Sequence, residues 1–160
     1  MKAVGYTQSL PSSDPHSLED LQLPAPDAST LTGRDLLVRV LAVSVNPVDT
    51  KVRKNRAPQP GQPEVLGYDA VGIVEATAPG ASLFRPGDRV WYAGSITRSG
   101  TNAELHVVDE RIVGPAPTSL TDAQAAAMPL TTITAWSCCS TGSVCPARPT
   151  SRVARAAACW

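Results

Sequence analysis

Short apolar runs separated by turn residues dominate the first two thirds of the chain. The longest run, residues 36–45, is rich in Val and Leu and ends at Asn46-Pro47. A second run, residues 70–76, contains Gly72, which predicts a β-bulge or a close backbone approach. Further apolar runs occupy residues 1–6, 18–23, 84–92, 103–108 and 111–113. Runs of this length bounded by Gly, Pro, Asn or Asp are typical of strands, so we expect a small barrel or sandwich.

Two parts of the chain depart from this β pattern. Residues 51–63 are polar and rich in proline, which predicts a loop. Thr121 and Gln124 have the spacing of a capping box, so we expect a helix that Pro129 stops or kinks. Residues 130–136 indicate the opening of a second helix. The predicted fold class is therefore mainly β with a few helices, of the α+β type.

Composition and charge exclude several classes of protein. The 160 residues suffice for one domain, or one domain with a remnant of another. Lys+Arg and Asp+Glu both number 14, so no net field would attract nucleic acid or an acidic membrane. With 42% apolar and 18% charged residues, the chain can support a packed core. No apolar run reaches the roughly 18 residues of a membrane span, and residues 1–6 lack the apolar stretch of a secretory leader, so we expect a cytoplasmic protein.

The composition changes abruptly after Trp136. All 14 acidic residues lie between Asp14 and Asp122, whereas all four cysteines lie within residues 137–160. The cysteine spacing matches no zinc-binding pattern, and adjacent cysteines rarely close a disulfide. We therefore predict that residues 137–160 form an anomalous, disordered tail with incidental thiols, and we disfavour a metal or disulfide framework there.

Five segments, taken in order, resemble the medium-chain dehydrogenase/reductase superfamily. The match is best to the quinone oxidoreductase branch, whose members are often labelled zinc-type alcohol dehydrogenase-like. The segments are residues 44–49, 66–74, 84–90, 102–111 and 128–136. The resemblance implies a GroES-like alcohol dehydrogenase N-terminal domain, a β-barrel, over residues 1–120. Residues 121–136 would then begin the connecting helices to a Rossmann domain that binds NADP(H).

The same resemblance addresses whether the site holds zinc. Zinc-bearing relatives carry Cys where this chain has Asn46, and Gly-His-Glu where it has Gly67-Tyr68-Asp69. Asn and Tyr are poor zinc ligands compared with thiolate and imidazole. The four-cysteine structural zinc lobe of those relatives is also missing, because no Cys precedes position 138. We expect no zinc, and we interpret His16 and His106 as ordinary surface and sheet residues.

Metal-free relatives transfer a hydride from a nicotinamide to a quinone or an activated alkene. By resemblance, Asn46 and Thr132 would face the cleft for nicotinamide and substrate, and they are the main catalytic candidates. The weaker candidates are the nearby polar residues and those at the former metal positions: Asp49, Lys51, Tyr68 and Asp69. Structural roles stay open as well, since Asn46 could form a turn, Asp49 a cap, and Thr132 a helix start. Relatives often carry a tyrosine after the Asn-Pro segment, but residues 51–63 contain none, which leaves the proton donor undefined.

No dinucleotide-binding motif occurs in the chain. A glycine-rich turn of the G-x-G-x-x-G type, which would cradle a pyrophosphate, is absent from the 160 residues. We therefore expect that the Rossmann domain is missing and that NADP(H) is bound by full-length relatives and not by this chain. A shift of the reading frame by one base after Trp136 would explain both features. One coding of the relatives' Glu-Leu-Leu-Phe-Asp-Arg-Leu-Gly-Val-Pro, read one base later, gives residues 137–145.

The expected function is that of an N-terminal catalytic-domain fragment of a zinc-independent, NADP(H)-dependent oxidoreductase. Its partners would be small-molecule quinones, enals or enones, with no nucleic acid and no membrane. Because a missing domain would leave apolar surface uncovered, we expect no turnover by the chain alone and non-specific self-association. Two alternatives stay open: a stand-alone GroES-like binding module, and a fragment of a zinc-dependent alcohol dehydrogenase.

Overall fold

Antiparallel strands make up most of the fold, and the computed structural model describes residues 1–140. In chain order the strands are β1 (Lys2–Tyr6), β2 (Glu19–Gln22), β3 (Asp35–Ser44), β4 (Glu64–Val65), β5 (Asp69–Thr77), β6 (Arg89–Ala93), β7 (Leu105–Asp109) and β8 (Val113–Pro115). They form a three-stranded sheet in the order β2-β1-β4 and a five-stranded sheet in the order β7-β3-β5-β6-β8. Every pairing between these strands is antiparallel.

Residues 1–140 also contain three α-helices: α1 (Pro47–Asn55), α2 (Asp122–Ala126) and α3 (Pro129–Ser140). Two 3₁₀ turns, Ala28–Thr30 and Glu110–Ile112, lie in the connections between strands. None of these helices combines the length and the apolar character that crossing a membrane requires. The mainly β, α+β fold class expected from the sequence is confirmed.

A short segment before β7 joins the two sheets. The Val4 amide donates to the Asn102 carbonyl at 2.8 Å, and the Glu104 amide donates to the Lys2 carbonyl at 3.0 Å. The Glu104 carbonyl in turn accepts from the Val40 amide of β3 at 2.9 Å. The sheets therefore share one boundary, although their ladders do not close into a continuous barrel.

The main core lies on one face of the five-stranded sheet. Its fully buried members come from strands β3, β5, β6 and β7: Leu36, Val38, Ala70, Val74, Val90, Tyr92 and Val108. A second cluster packs α2 against the opposite side of β5, where Ala125 and Ala126 contact Val71. Because alanine side chains are small, the short helix can lie close to the sheet. Each buried Val or Leu stabilises the fold by roughly 1.5–3 kcal/mol.

Of the two expectations for Gly72, the close backbone approach is observed, and the bulge lies opposite it in β3, where Leu41 is the extra residue. The register between β3 and β5 shifts between Val40 and Ala42, opposite Gly72 and Val71. A Cβ atom on Gly72 would lie 2.5 Å from the Arg39 carbonyl oxygen, so a side chain would push the strands apart. Glycine is needed here because the two backbones approach closely.

The loop predicted for residues 51–63 is wrong at its start, where α1 continues to Asn55. Pro47 fits the first turn of this helix, since its missing N–H would lack an intrahelical partner there anyway. The helix is then held by tertiary contacts that the sequence pattern does not reveal. The Arg53 guanidinium donates to the carbonyls of Leu10, at 2.7 Å, and Ser17, at 2.8 Å.

Smaller differences concern the later elements. The strand expected at residues 111–113 is replaced by the turn Glu110–Ile112, and β8 follows it. The capping box predicted at Thr121 is confirmed, and α2 ends before Pro129 as expected. The second helix, α3, starts at Pro129 and extends to Ser140, so residues 137–140 of the predicted tail are helical. The remainder of that tail lies outside the described residues.

Candidate functional site

The Asp49 carboxylate ties the start of α1 to the turn that precedes β5. One oxygen, Oδ2, accepts the backbone N–H of Asn46 at 2.7 Å. The other, Oδ1, accepts the backbone N–H of Gly67 at 3.0 Å. Asp49 is buried, so neither amide has water as an alternative partner. The local part of this contact follows from the sequence, because a carboxylate three residues after an N-cap can accept the free N-cap amide.

Asp69, the first residue of β5, connects α1 to α3. Its Oδ2 accepts the side-chain N–H of Asn46 at 2.9 Å, and its Oδ1 accepts the backbone N–H of Leu130 at 2.8 Å. Leu130 is the second residue of α3, where backbone amides have no intrahelical acceptor. A fully buried carboxylate from a distant strand therefore caps this helix.

Burial also changes the acidity of this group. It raises the pKa of the Asp69 carboxyl above its ordinary value, while the hydrogen bonds from Asn46 and Leu130 oppose the rise. The nearby charge of Asp49 adds to the increase. The two carboxylates thus repel each other, and the N–H donors between them stabilise the ionised form.

Gly67 contributes through its backbone, which sequence reasoning did not anticipate. Its φ of +103° lies in a region that L side chains rarely adopt. A Cβ atom there would lie 2.5 Å from Thr101 Oγ1 and 2.6 Å from Asn102 Oδ1. The only indication in the sequence is that Gly67 occurs within the motif that carries Tyr68 and Asp69.

The structure brings together three of the six predicted site residues: Asn46, Asp49 and Asp69. Lys51 is exposed, and it has no ion pair or hydrogen bond to its side chain among residues 1–140. It follows Asp49 by two positions on α1, which turns its side chain about 200° away around the helix. The candidate catalytic role of Lys51 therefore has no geometric support.

Tyr68 and Thr132 lie beside this group without a hydrogen bond to it. Tyr68 is buried, which raises the pKa of its phenol against the opposing charge of Arg56. Thr132 is half-buried on α3, two residues after the amide that Asp69 accepts. Its backbone N–H donates to Met128 at 2.8 Å, as a helical residue should. Its hydroxyl has no partner in the described part of the chain.

Comparison with known proteins identifies the family. The sequence pattern of the alcohol dehydrogenase GroES-like domain matches residues 32–118, which is more than half of the chain. The chain belongs to this family. The match includes Asn46, Asp49 and Asp69, so the hydrogen-bonded group lies within the GroES-like domain.

Several relatives share this domain, and they are oxidoreductases of the medium-chain dehydrogenase/reductase superfamily. A zinc-type alcohol dehydrogenase-like protein from Staphylococcus epidermidis is 42% identical over 136 residues, covering 85% of the chain and 39% of the relative. A crystal structure from Rhizobium etli CFN 42, described as a zinc-dependent alcohol dehydrogenase, is 58% identical with a TM-score of 0.81, covering 86% of the chain and 39% of that protein. The Escherichia coli quinone oxidoreductase complexed with NADPH is 26% identical with a TM-score of 0.71, covering 85% and 39%. The chain thus spans about two fifths of the length of these relatives.

Around Asn46, the described side chains offer few free donor atoms to a metal ion. The Asn46 amide nitrogen is a hydrogen-bond donor to Asp69, and both Asp69 oxygens already accept N–H groups. Burial raises the pKa of the Tyr68 phenol, which disfavours the phenolate form that would bind a metal. Within residues 1–140, no three or more His, Cys, Asp or Glu side chains are grouped so that they could hold a metal.

His106 lies outside this group and has a structural role. Its Nε2 lies 3.0 Å from the Ser99 carbonyl oxygen, which can only accept, so Nε2 carries the proton. Its Nδ1 then accepts the Tyr92 hydroxyl at 3.0 Å, and the two rings stack with centroids 5.5 Å apart. Burial lowers the pKa of His106 to about 4. The expectation that His106 is an ordinary sheet residue agrees with this geometry.

An open groove of about 400 Å³ lies beside β7, away from Asn46. Two arginines line it, but Arg98 is paired with Asp35 at 2.8 Å and Arg111 with Asp109 at 2.7 Å. The charges of the groove are therefore largely compensated, and its shape offers no defined ligand site.

Proposed function

We propose that this chain supplies the substrate-side domain of a zinc-independent, NADP(H)-dependent oxidoreductase that reduces quinones or activated alkenes such as enals and enones. The observation that carries the proposal is the hydrogen-bonded group of Asn46, Asp49 and Asp69. By the resemblance described above, Asn46 and Asp69 stand at positions of the metal-site motifs of zinc-bearing relatives, and here they hydrogen-bond each other. The similarity to a quinone oxidoreductase complexed with NADPH supports the cofactor and the substrate class.

The chain's own residues would bind and orient the substrate. NADPH, when bound, supplies the hydride for such a reduction. By the resemblance to metal-free relatives, Asn46 and Thr132 would contact the substrate or the nicotinamide ring, and the Thr132 hydroxyl has no partner among residues 1–140. Asp49 and Asp69 are positioning residues, because each holds Asn46 through a hydrogen bond and neither has an oxygen free for the substrate.

We also propose that the 160 residues alone do not turn over. No glycine-rich turn in them could hold the pyrophosphate of NADPH, so they do not fit the whole cofactor. Titration of the purified chain with NADPH, followed by fluorescence, should show no saturable binding at micromolar concentration. Saturable binding in that range would contradict this part of the proposal.

A chimera tests the catalytic part. Residues 1–136 would replace the matching segment of the Rhizobium etli protein, which is 58% identical to this chain. The chimera should oxidise NADPH in the presence of a quinone or an enone, and treatment with a chelator should leave the rate unchanged. Activity that depends on added zinc would favour the zinc-dependent alcohol dehydrogenase instead, and a folded but inactive chimera would refute the proposal.

The cytoplasmic location expected from the sequence stays a prediction. Fractionation of cells that express the chain, followed by detection with an antibody, tests it directly.

A further inference from the structure

Two adjacent cysteines, Cys138 and Cys139, lie in the last turn of α3. Each carries an exposed thiol that is not part of a disulfide. From Ile133 to Ser140 every residue of the helix is exposed, and α3 contains no Asp, Glu, Lys or Arg. Small molecules in the solvent can therefore reach both thiols.

A disulfide within this pair is disfavoured by geometry. Neighbouring Cα atoms are about 3.8 Å apart, whereas disulfide-bonded residues have Cα atoms about 5.5–6 Å apart. Consecutive side chains of a helix also point about 100° apart around its axis. A single atom that bonds both sulfurs spans a wider gap than an S–S bond does. The pair therefore suits a ligand that binds two thiolates on one atom.

The last turn of α3 can open to let the two sulfurs converge. The final carbonyls of a helix have no intrahelical partner, so this turn opens more easily than the middle of the helix. The buried residue of α3 is Pro129, in the first turn, so opening the last turn exposes no core. The helix is held at the other end, where Asp69 accepts the Leu130 amide at 2.8 Å.

Chain distance favours the adjacent pair over any other pair of thiols. The two further cysteines, Cys145 and Cys159, follow later in the sequence and are separated from this pair and from each other by several residues. The entropic cost of closing a ring increases with the number of residues inside it. A ligand that needs two sulfurs should therefore select Cys138 and Cys139.

We propose that Cys138 and Cys139 together bind one monosubstituted trivalent arsenical. Trivalent arsenic is a soft centre, which thiolates prefer, and such a compound needs only two sulfur ligands. A zinc ion would need four ligands, which two cysteines do not supply. In the reaction with R–As=O, two As–S bonds form, the As=O bond breaks, and the oxygen leaves as water with the two thiol protons. Nothing is oxidised or reduced, and the site does not depend on the proposed function.

Phenylarsine oxide tests this inference with the whole chain. The chain is reduced, freed of reductant and mixed with one equivalent of the arsenical, and intact-mass spectrometry and a thiol assay follow the reaction. One arsenical should bind per chain and consume two thiols. An excess of 2-mercaptoethanol should leave it bound, because a monothiol cannot match two linked sulfurs, whereas 2,3-dimercaptopropanol should remove it.

Serine variants identify the two sulfurs. Cys138→Ser and Cys139→Ser should each raise the Kd for the arsenical about 100-fold or more, because one of the two bonds is lost. The matched control, Cys145→Ser with Cys159→Ser, should keep the affinity of the wild-type chain. Both positions in α3 are exposed, so the single variants should fold, and circular dichroism checks this. Wild-type binding that 2-mercaptoethanol reverses, an unchanged Kd in either single variant, or lost binding in the control would each overturn the inference.

Discussion

His106 combines almost complete burial with two hydrogen bonds that only the neutral ring can make together. Protonation of Nδ1 would remove the acceptor for the Tyr92 hydroxyl and place a charge in the core. This is why the pKa of the folded state, about 4, lies below the ordinary value of 6.5. The unfolded chain therefore binds more protons than the folded chain between these two values.

The sign of the pH dependence follows from this difference. The contribution of His106 to stability is complete above about pH 6.5 and is lost as the pH falls towards about 4. Between about pH 7 and pH 5, it should reduce the free energy of unfolding by about 2 kcal/mol. Urea unfolding at the two pH values measures this loss. His106→Gln should lose much of this pH dependence, and His16→Gln, at an exposed position, should retain it. Equal slopes for the two variants would contradict the prediction.

At the scale of single elements, the turn before β5 depends on Gly67. Gly67→Ala should destabilise the fold for two reasons, a positive φ and a Cβ atom 2.5 Å from Thr101 Oγ1. Gly87→Ala is a matched control, because its φ of +97° is similar and nothing lies within 4 Å of the added Cβ. In the control, the free energy of unfolding should fall by about 1–2 kcal/mol, the cost of the positive φ alone. In Gly67→Ala it should fall by clearly more. Chemical denaturation compares them, and equal losses would show that the close contact relaxes.

The short helix α2 depends on one arginine for its position. Arg89 donates to Asp122 at 2.7 Å and to the carbonyls of Pro117, at 2.9 Å, and Leu120, at 3.2 Å. Lysine cannot reproduce this fork of donors, so Arg89→Lys should reduce the free energy of unfolding by about 2 kcal/mol. Arg85→Lys, at an exposed position nearby, should change it little. Thermal unfolding of both variants checks the prediction, and similar shifts in Tm would refute it.

The strands could be predicted from the sequence because alternation and turn residues act locally. Helix α1, which continues to Asn55 where a loop was expected, was missed because its nine residues are mostly polar and its support comes from Arg53, whose acceptors lie 36 and 43 positions away. The group around Asp69 was only partly predictable for the same reason. Resemblance pointed to Asn46 and Asp69, but the contact with Leu130 joins residues 61 positions apart. No local pattern encodes such a contact.

At the scale of the whole molecule, the end of β3 exposes apolar side chains beside an open strand edge. On the β7 side, the ladder of β3 covers residues 35–39 and the Val40 amide donates to Glu104, which leaves residues 41–44 of β3 with an open edge in the described part of the chain. Val43 of this stretch is 40% exposed, and Val45, the residue that follows β3, is 73% exposed. Apolar side chains on an open strand edge favour association between chains.

We therefore predict weak, concentration-dependent self-association through this edge. Replacing both residues, Val43→Thr with Val45→Thr, should lower the weight-average mass measured by sedimentation at high concentration. Val4→Thr removes an equally exposed valine from the other sheet and should leave the mass unchanged. Association that persists in the double variant would place the contact elsewhere.

The carboxylate of Asp69 has a mechanical consequence. One Asp69 oxygen accepts the Leu130 N–H in the first turn of α3, and the other accepts the Asn46 side-chain N–H. A tilt of α3 should therefore displace the Asn46 amide as well. Asp69 therefore couples the position of α3 to that of the Asn46 side chain. A displacement of α3 should lengthen the hydrogen bond between Asp69 and Asn46. By the same linkage, any interaction that moves the Asn46 side chain should change the preferred position of α3.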